Sequence, residues 1–366
     1  MSDAAEGSRR PRVTEVLTNT HPALRRCWHP VARSADVTDR PQRVMLLGEP
    51  WVLVRLGSDG EARAFLDRCP HRLAPLSIGT CPAGEAGERT LQCAYHGWRF
   101  GADGRCLDIP ALGPTATIPP AARLVAAAGT AERHGMVFLA PEAPLAPLGD
   151  VPEATDPSYI AGDLPVLSAR ASAGLLADNF LDIAHFPFVH AATFGAEEPV
   201  VPPITVERTA LSFTAVSEHL FANREDPGVT AGVRPLIQRR RVTYRVHAPF
   251  HLVLRLDFLD SGGSNVIGFF LQPESDQSCR IFSTLWRDDL EGDAARMAEA
   301  VEFETKIVFE DLAVQEAYDV LALPLDPRAE VHTKADRSTL ELRRTLADLV
   351  AAAGSAGPDW SRTARA

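Results

Sequence analysis

An α+β fold in two domains is what this 366-residue chain predicts, and three observations lead there. Short β-forming runs broken by Gly, Pro and Asp fill residues 25–140. A proline-rich stretch follows at 141–165. Beyond it, longer strand-like runs give way to one stretch whose apolar residues recur three and four apart, the period of a helix.

Taken in order, residues 1–24 are small and polar and are expected to be loose. Residues 25–140 hold the runs Val44–Leu47, Trp51–Leu56 and Met136–Leu139, which predict a small antiparallel β domain. The prolines of 141–165 predict an extended linker. The second domain, 166–351, opens on a helix-like segment at 175–190. Strand candidates follow at 209–220, 239–258, 264–273 and 279–287, then a long amphipathic helix over 293–321 and another over 338–352. Residues 352–366 read as a flexible tail.

A formal charge of −11 argues against a nucleic-acid surface, and an electrostatic partner would carry a basic docking face. No run approaches the ~20 apolar residues that span a bilayer, and the acidic and basic N-terminal stretch lacks an apolar signal core. A soluble, cytoplasmic protein is therefore expected, with no membrane partner. Of six cysteines, Cys27, Cys81, Cys106 and Cys279 show no spacing of a secreted disulfide framework and are expected to be reduced.

The other two belong to a motif. Cys69-Pro70-His71-Arg72 is followed by Cys93-Ala94-Tyr95-His96-Gly97-Trp98, two Cys/His pairs in the spacing of a Rieske [2Fe-2S] site. In such a site Cys69 and Cys93 hold one iron and His71 and His96 the other, and neutral imidazole raises the reduction potential above that of an all-cysteine cluster. A zinc site would keep like ligands together, as Cys-x2-4-Cys and His-x3-5-His, whereas each half here carries one of each. The product is a carrier of single electrons.

An electron carrier needs an acceptor. In Asp178-Asn179-Phe180-Leu181-Asp182-Ile183-Ala184-His185-Phe186-Pro187-Phe188-Val189-His190, two histidines stand five apart, which does not stack them on one helix face. Pro187 is expected to interrupt the helix so that the imidazoles converge. Two histidines and a carboxylate make the facial triad of non-heme Fe(II) oxygenases. The carboxylate is sought on the long helix, at Asp311 with Glu310 as the fallback; on spacing alone a solvated acidic face would account for both. His29, His134, His219, His247, His251 and His332 have no ligand spacing.

On these residues, together with Ala74-Pro75-Leu76-Ser77, Gly104-Arg105-Cys106 and His332 through Arg344, the chain resembles the Rieske non-heme iron oxygenases. The type is that of vanillate O-demethylase and the methylxanthine N-demethylases, and the likeness runs from about residue 25 to 350. It implies an all-β Rieske domain followed by a helix-grip catalytic domain, an antiparallel sheet with a long C-terminal helix. It also implies that His185, His190 and Asp311 bind a mononuclear Fe(II), with O2 as co-substrate. Asp182 would link His185 to a cluster histidine, His96, of the next subunit in a head-to-tail homotrimer. Electrons would come from a separate NAD(P)H-dependent flavin reductase, with or without a ferredoxin between. Membrane-anchored Rieske subunits carry an extra cysteine in each cluster loop; here the loops read Arg72-Leu73-Ala74 and Gly97-Trp98-Arg99. Tyr318 and Asp319 stand where relatives have Gln-x-Pro, a departure that bears on the pocket.

The implied activity is demethylation or monohydroxylation of a small aromatic or heteroaromatic compound. A pocket is expected between the sheet at 239–287 and the loop after His190, with Phe194, Phe250, Leu252, Phe269 and Trp286 as apolar candidates. Two alternatives stand beside it. One is a tailoring hydroxylase for a larger natural-product or alicyclic substrate. The other is a Rieske electron-transfer protein with no second iron.

Overall fold

A computed structural model describes residues 15–84, 87–193, 199–224 and 226–355. Strand β1 (Val16–Thr18) precedes a Rieske-type domain of nine short strands. These are β2 (His29–Arg33), β3 (Gln42–Leu46), β4 (Glu49–Arg55), β5 (Ala62–Leu66), β6 (Leu91–Gln92), β7 (Arg99–Phe100), β8 (Cys106–Asp108), β9 (Gly129–Arg133) and β10 (Met136–Ala140). They form three small antiparallel sheets, β2-β10-β9, β3-β4-β5 and β6-β7-β8.

The second domain contributes β11 (Ile160–Asp163), β12 (Leu167–Ala169), helices α1 (Ala173–Leu181) and α2 (Phe186–Val189), β13 (Thr205–Arg208), β14 (Ser212–Ala222) and the one-turn α3 (Pro227–Thr230). Then come β15 (Ile237–His247), β16 (His251–Phe258), β17 (Ser264–Ser275), β18 (Ser278–Arg287), α4 (Ala294–Gln315), β19 (Ala322–Pro324) and α5 (Arg337–Ser355). An eight-stranded antiparallel sheet runs β11-β18-β17-β16-β15-β14-β13, with β12 also on β18. Helix α4 crosses it as the expected helix-grip element.

Side chains alternate across a strand, so the sheet has two buried faces with different tasks. Phe269 and Leu285 face α1 and α4 in the main core, whereas the adjacent Phe270 and Trp286 pack with Met136 and Phe138 of the Rieske-type domain. The β3–β4 turn also docks: Leu47 (φ 53°) and Gly48 (φ 78°) take the paired left-handed geometry of a two-residue hairpin turn. Their amides donate to the Pro273 and Glu274 carbonyls of β17 at 2.8 Å.

Several expectations about domain limits are corrected. Residues 16–18, read as loose, pair with β19, and Leu17 and Asn19 are buried. Residues 160–163, read as linker, are an edge strand on β18, where Gly162 lets α4 approach: a Cβ there would lie 2.7 Å from Met297 Sδ and Val301 Cγ2. Residues 352–355 belong to α5. The run 239–258 is a hairpin of two strands, and the helix over 293–321 ends at Gln315. Residues 1–14, 85–86, 194–198, 225 and 356–366 lie outside the described residues.

Candidate metal centres

The two Cys/His loops have the same backbone plan. Cys69 N donates to Ala74 O, and Cys93 N to Trp98 O, both at 2.9 Å. Leu73 N returns to Cys69 O at 2.9 Å, as Gly97 N does to Cys93 O at 3.0 Å. The residue four after each cysteine is left-handed, Leu73 at φ 57° and Gly97 at φ 72°. Both cysteines are buried, not joined in a disulfide, and in mutual side-chain contact. Burial leads the causes that push the Cys69 thiol up to about 11, joined by Cys93. A positive metal centre would reverse this and favour the thiolate.

Outside the sulfurs, the His71 and His96 rings lie 4.5 Å apart and are exposed, with Trp98 stacked on His71 at 4.6 Å. Paired buried thiols behind paired exposed imidazoles fit a cluster held by sulfur on its inner iron and nitrogen on its outer one.

The second constellation is assembled from α1, α2 and α4. Helix α1, capped by the Ser172 hydroxyl, stops at Leu181, and Asp182 is already extended (ψ 124°). The expected break at Pro187 thus falls five residues earlier. Pro187 instead sits in the first turn of α2, where its missing N–H is not needed. His185 and His190 flank α2, and this turn, rather than a kink, brings their rings together.

His185 Nε2 lies 3.1 Å from His190 Nε2, and both lie near Asp311 Oδ1, at 3.3 and 3.2 Å. The three donor atoms fall within 4.8 Å of one another. Two imidazole nitrogens and a carboxylate oxygen aimed at one point can share only a proton or two by themselves, whereas a bound cation uses all three lone pairs; the donor set fits a divalent metal. Asn179 Nδ2 donates to the same Asp311 oxygen at 3.3 Å.

Glu310 takes a different place from the one the fallback gave it. Its Oε2 lies 2.7 Å from His190 Nδ1, the ring nitrogen turned away from Asp311, and its other oxygen accepts from the Thr193 hydroxyl. Asp182 stands behind His185, its Oδ2 3.4 Å from Nδ1 without a well-aligned hydrogen bond, while its Oδ1 accepts from Ala184 N at 2.8 Å. In the metal-free protein burial acts to lower the His185 pKa, but the Asp182 and Asp311 carboxylates outweigh it and raise it to about 9. Asp311 is likewise held low by the two imidazoles against its own burial. The local field favours positive charge at this point.

A cavity of about 340 Å³ opens beside the triad between the sheet and α4. Of the apolar candidates, Phe269 lines it; Phe250, Leu252 and Trp286 are packed in the cores, and Phe194 lies outside the described residues. The lining instead uses Phe180, Phe221, Phe258 and Phe303, which sequence periodicity does not single out.

Comparison with known proteins gives consistent matches. Residues 169–352, half of the chain, match the family described as Vanillate O-demethylase oxygenase C-terminal domain, and residues 27–119 match the Rieske [2Fe-2S] domain. Methylxanthine N3-demethylase NdmB of Pseudomonas putida is 28% identical over 88% of this chain and 88% of its own length. Its solved structure superposes with a TM-score of 0.75 at 26% identity, covering 92% and 95% of the two chains. Chlorophyllide a oxygenase of Arabidopsis thaliana is 33% identical over 51% of this chain, and the match spans only 33% of that longer protein. Dicamba O-demethylase oxygenase component of Stenotrophomonas maltophilia is 34% identical over 46% of this chain and 48% of its own.

Proposed function

The chain belongs to the vanillate O-demethylase oxygenase family and carries a Rieske [2Fe-2S] domain, and from that premise we propose that it is a terminal oxygenase component. It would accept electrons one at a time from a separate NAD(P)H-dependent flavin reductase and oxidise a methyl or C–H group of a small aromatic or heteroaromatic compound. The observation that carries the proposal is the convergence of His185, His190 and Asp311 in the wall of an aromatic-lined cavity.

In this reading Cys69, His71, Cys93 and His96 hold the cluster, and His185, His190 and Asp311 hold the mononuclear iron. When bound, the iron and cluster supply dioxygen activation and single electrons. The protein's own work is orientation. Glu310 accepts the Nδ1–H of His190, which fixes the tautomer with Nε2 free to ligate, and Thr193 holds that carboxylate. Asn179 steadies Asp311, and Phe180, Phe186 and Phe269 exclude water from the cavity wall. Asp182 sits where it can hold a proton on the outer nitrogen of His185.

A head-to-tail homotrimer, with Asp182 meeting His96 of the next subunit, belongs to the same proposal. Its support is apolar exposure at both ends of the route: Leu73 and Tyr95 beside the cluster loops are 68% and 64% exposed, and Phe188 between the two site histidines 74%. Domain limits near 25–140 and 166–351 follow, with the linker shortened by β11.

Iron and acid-labile sulfide per chain test the reading. About three irons and two sulfides are expected, falling to about two irons in His185→Ala and Asp311→Ala with the Rieske spectrum retained. About two irons in every sample would leave an electron carrier instead.

A further inference from the structure

The two cluster loops share a backbone plan but not a side-chain plan. Counting from each cysteine, the carbonyl that accepts the cysteine N–H belongs to the fifth residue, Ala74 in one loop and Trp98 in the other. At equivalent points of two matching turns the chain therefore sets a methyl group and an indole.

The indole reaches across to the other loop. Its ring lies parallel to that of His71, with 4.6 Å between centroids and 7° between planes. Such an offset stack holds both rings in one orientation. Trp98 can hold a partner because it is itself held. It is half-buried against the apolar core that contains Cys69 and Cys93, and β7 starts at the next residue. Phe100, fully buried in that core, has its ring 6.5 Å away.

Among the described residues His96 has no parallel partner. Its ring meets Tyr95 at 3.8 Å with a tilt of 41°, and Tyr95 is itself exposed. The His71 and His96 rings stand at 65° to one another, so an indole that stacks on one cannot also stack on the other.

We propose that Trp98 is a positioning residue that makes the two histidines unequal: it fixes the plane of the His71 imidazole and keeps water from one face of it, while His96 stays unstacked. This rests on the reading of Cys69, His71, Cys93 and His96 as the ligands of a Rieske cluster. Ring electrostatics give the effect a sign. The face of an aromatic ring is negative, so an indole against a ligand ring disfavours the negative charge that reduction adds. Water in its place favours that charge. Both effects act in one direction, and loss of the indole should make the cluster easier to reduce.

The test is redox titration of the full chain with its cluster, followed by visible absorption, in Trp98→Leu, Trp98→Phe and Tyr95→Leu. At a solution potential that half reduces the unsubstituted protein, the reduced-to-oxidised ratio should rise about threefold or more in Trp98→Leu. It should change by less than about twofold in Trp98→Phe, which keeps a ring, and in Tyr95→Leu. Pulsed electron paramagnetic resonance of the reduced cluster gives a second readout, since each ligating nitrogen couples separately to the unpaired electron. One of the two nitrogen couplings should change in Trp98→Leu and the other should not. Both readouts are taken per assembled cluster, and Trp98→Met, closer in volume, replaces a leucine variant that loads too little. An unchanged ratio without the indole, an equal rise in Trp98→Phe, or two couplings that move together would each overturn the assignment. An unsubstituted chain without a Rieske spectrum would overturn the cluster reading and this assignment with it, whereas a normal spectrum indifferent to Trp98 overturns the assignment alone.

Discussion

At His190 the two ring nitrogens face two different carboxylates, and this separates the adjacent acids of α4. Asp311 meets Nε2 together with His185, while Glu310 meets Nδ1 from behind. Asp311→Asn should therefore lose the mononuclear iron, whereas Glu310→Gln should keep it with about 10- to 100-fold weaker affinity, measured by Fe(II) titration. A reversed pattern would make Glu310 the ligand. The cluster loops allow a similar comparison at equivalent positions. Gly97→Ala puts a Cβ on a left-handed backbone and 3.2 Å from Pro110 Cγ, so a cost of about 1–2 kcal/mol is expected. Leu73→Gly removes an exposed side chain from the same conformation and should change stability by less than about 1 kcal/mol. Thermal bleaching of the cluster's visible absorption reads both; equal effects would contradict the correspondence between the loops.

Elements hold these residues in register, and the contacts that do so are few. Helix α1 is tied to α5 through Arg343, which pairs with Asp178 and Glu330 and is almost fully buried. Arg343→Met leaves Asp178 without its cation, one turn before Asp182, and a loss of about 3–5 kcal/mol in unfolding free energy is expected by chemical denaturation. A loss under about 1 kcal/mol would mean the pair is only a surface contact. Much of this level could be read from the chain: four strand runs of the sheet, the long helix and the α1 segment all follow from periodicity. What periodicity does not show is where backbone pairing overrides composition. Ile160–Asp163 lies among prolines yet completes the sheet edge, because β18 offers an unpaired edge and Gly162 admits α4. Val16–Thr18 is three residues long and is a strand only because β19 lies opposite.

Across the whole molecule the candidate metal ligands could be picked out because coordination chemistry restricts residue type and spacing: core packing alone has no reason to produce two Cys/His pairs followed by a His-x4-His segment. The place of Arg240 in the cavity wall could not, since nothing in the run Arg239, Arg240 and Arg241 marks which one lacks a carboxylate partner among the described residues. The junction between the domains has the same character, being built from histidines that no motif marks. His251 of β16 bonds the Trp28 carbonyl at 2.9 Å, and His29 of β2 bonds Leu24 O at 2.8 Å. Burial holds both neutral, lowering His29 to about 4 and His251, which His29 also disfavours, to about 3. An unfolded chain protonates both near pH 6.5, so it binds the extra protons, and the stability these residues contribute is fully present above that pH. It is lost as pH falls from 6.5 toward 4 and 3, by up to about 1.4 kcal/mol per pH unit for each histidine. His251→Gln keeps a donor for Trp28 O and removes the titration. The drop in unfolding free energy between pH 7 and pH 5 should therefore shrink by about 2 kcal/mol in the variant, followed by tryptophan fluorescence in denaturant. An unchanged drop would mean that acid opens the protein elsewhere and that the junction is not its sensitive point.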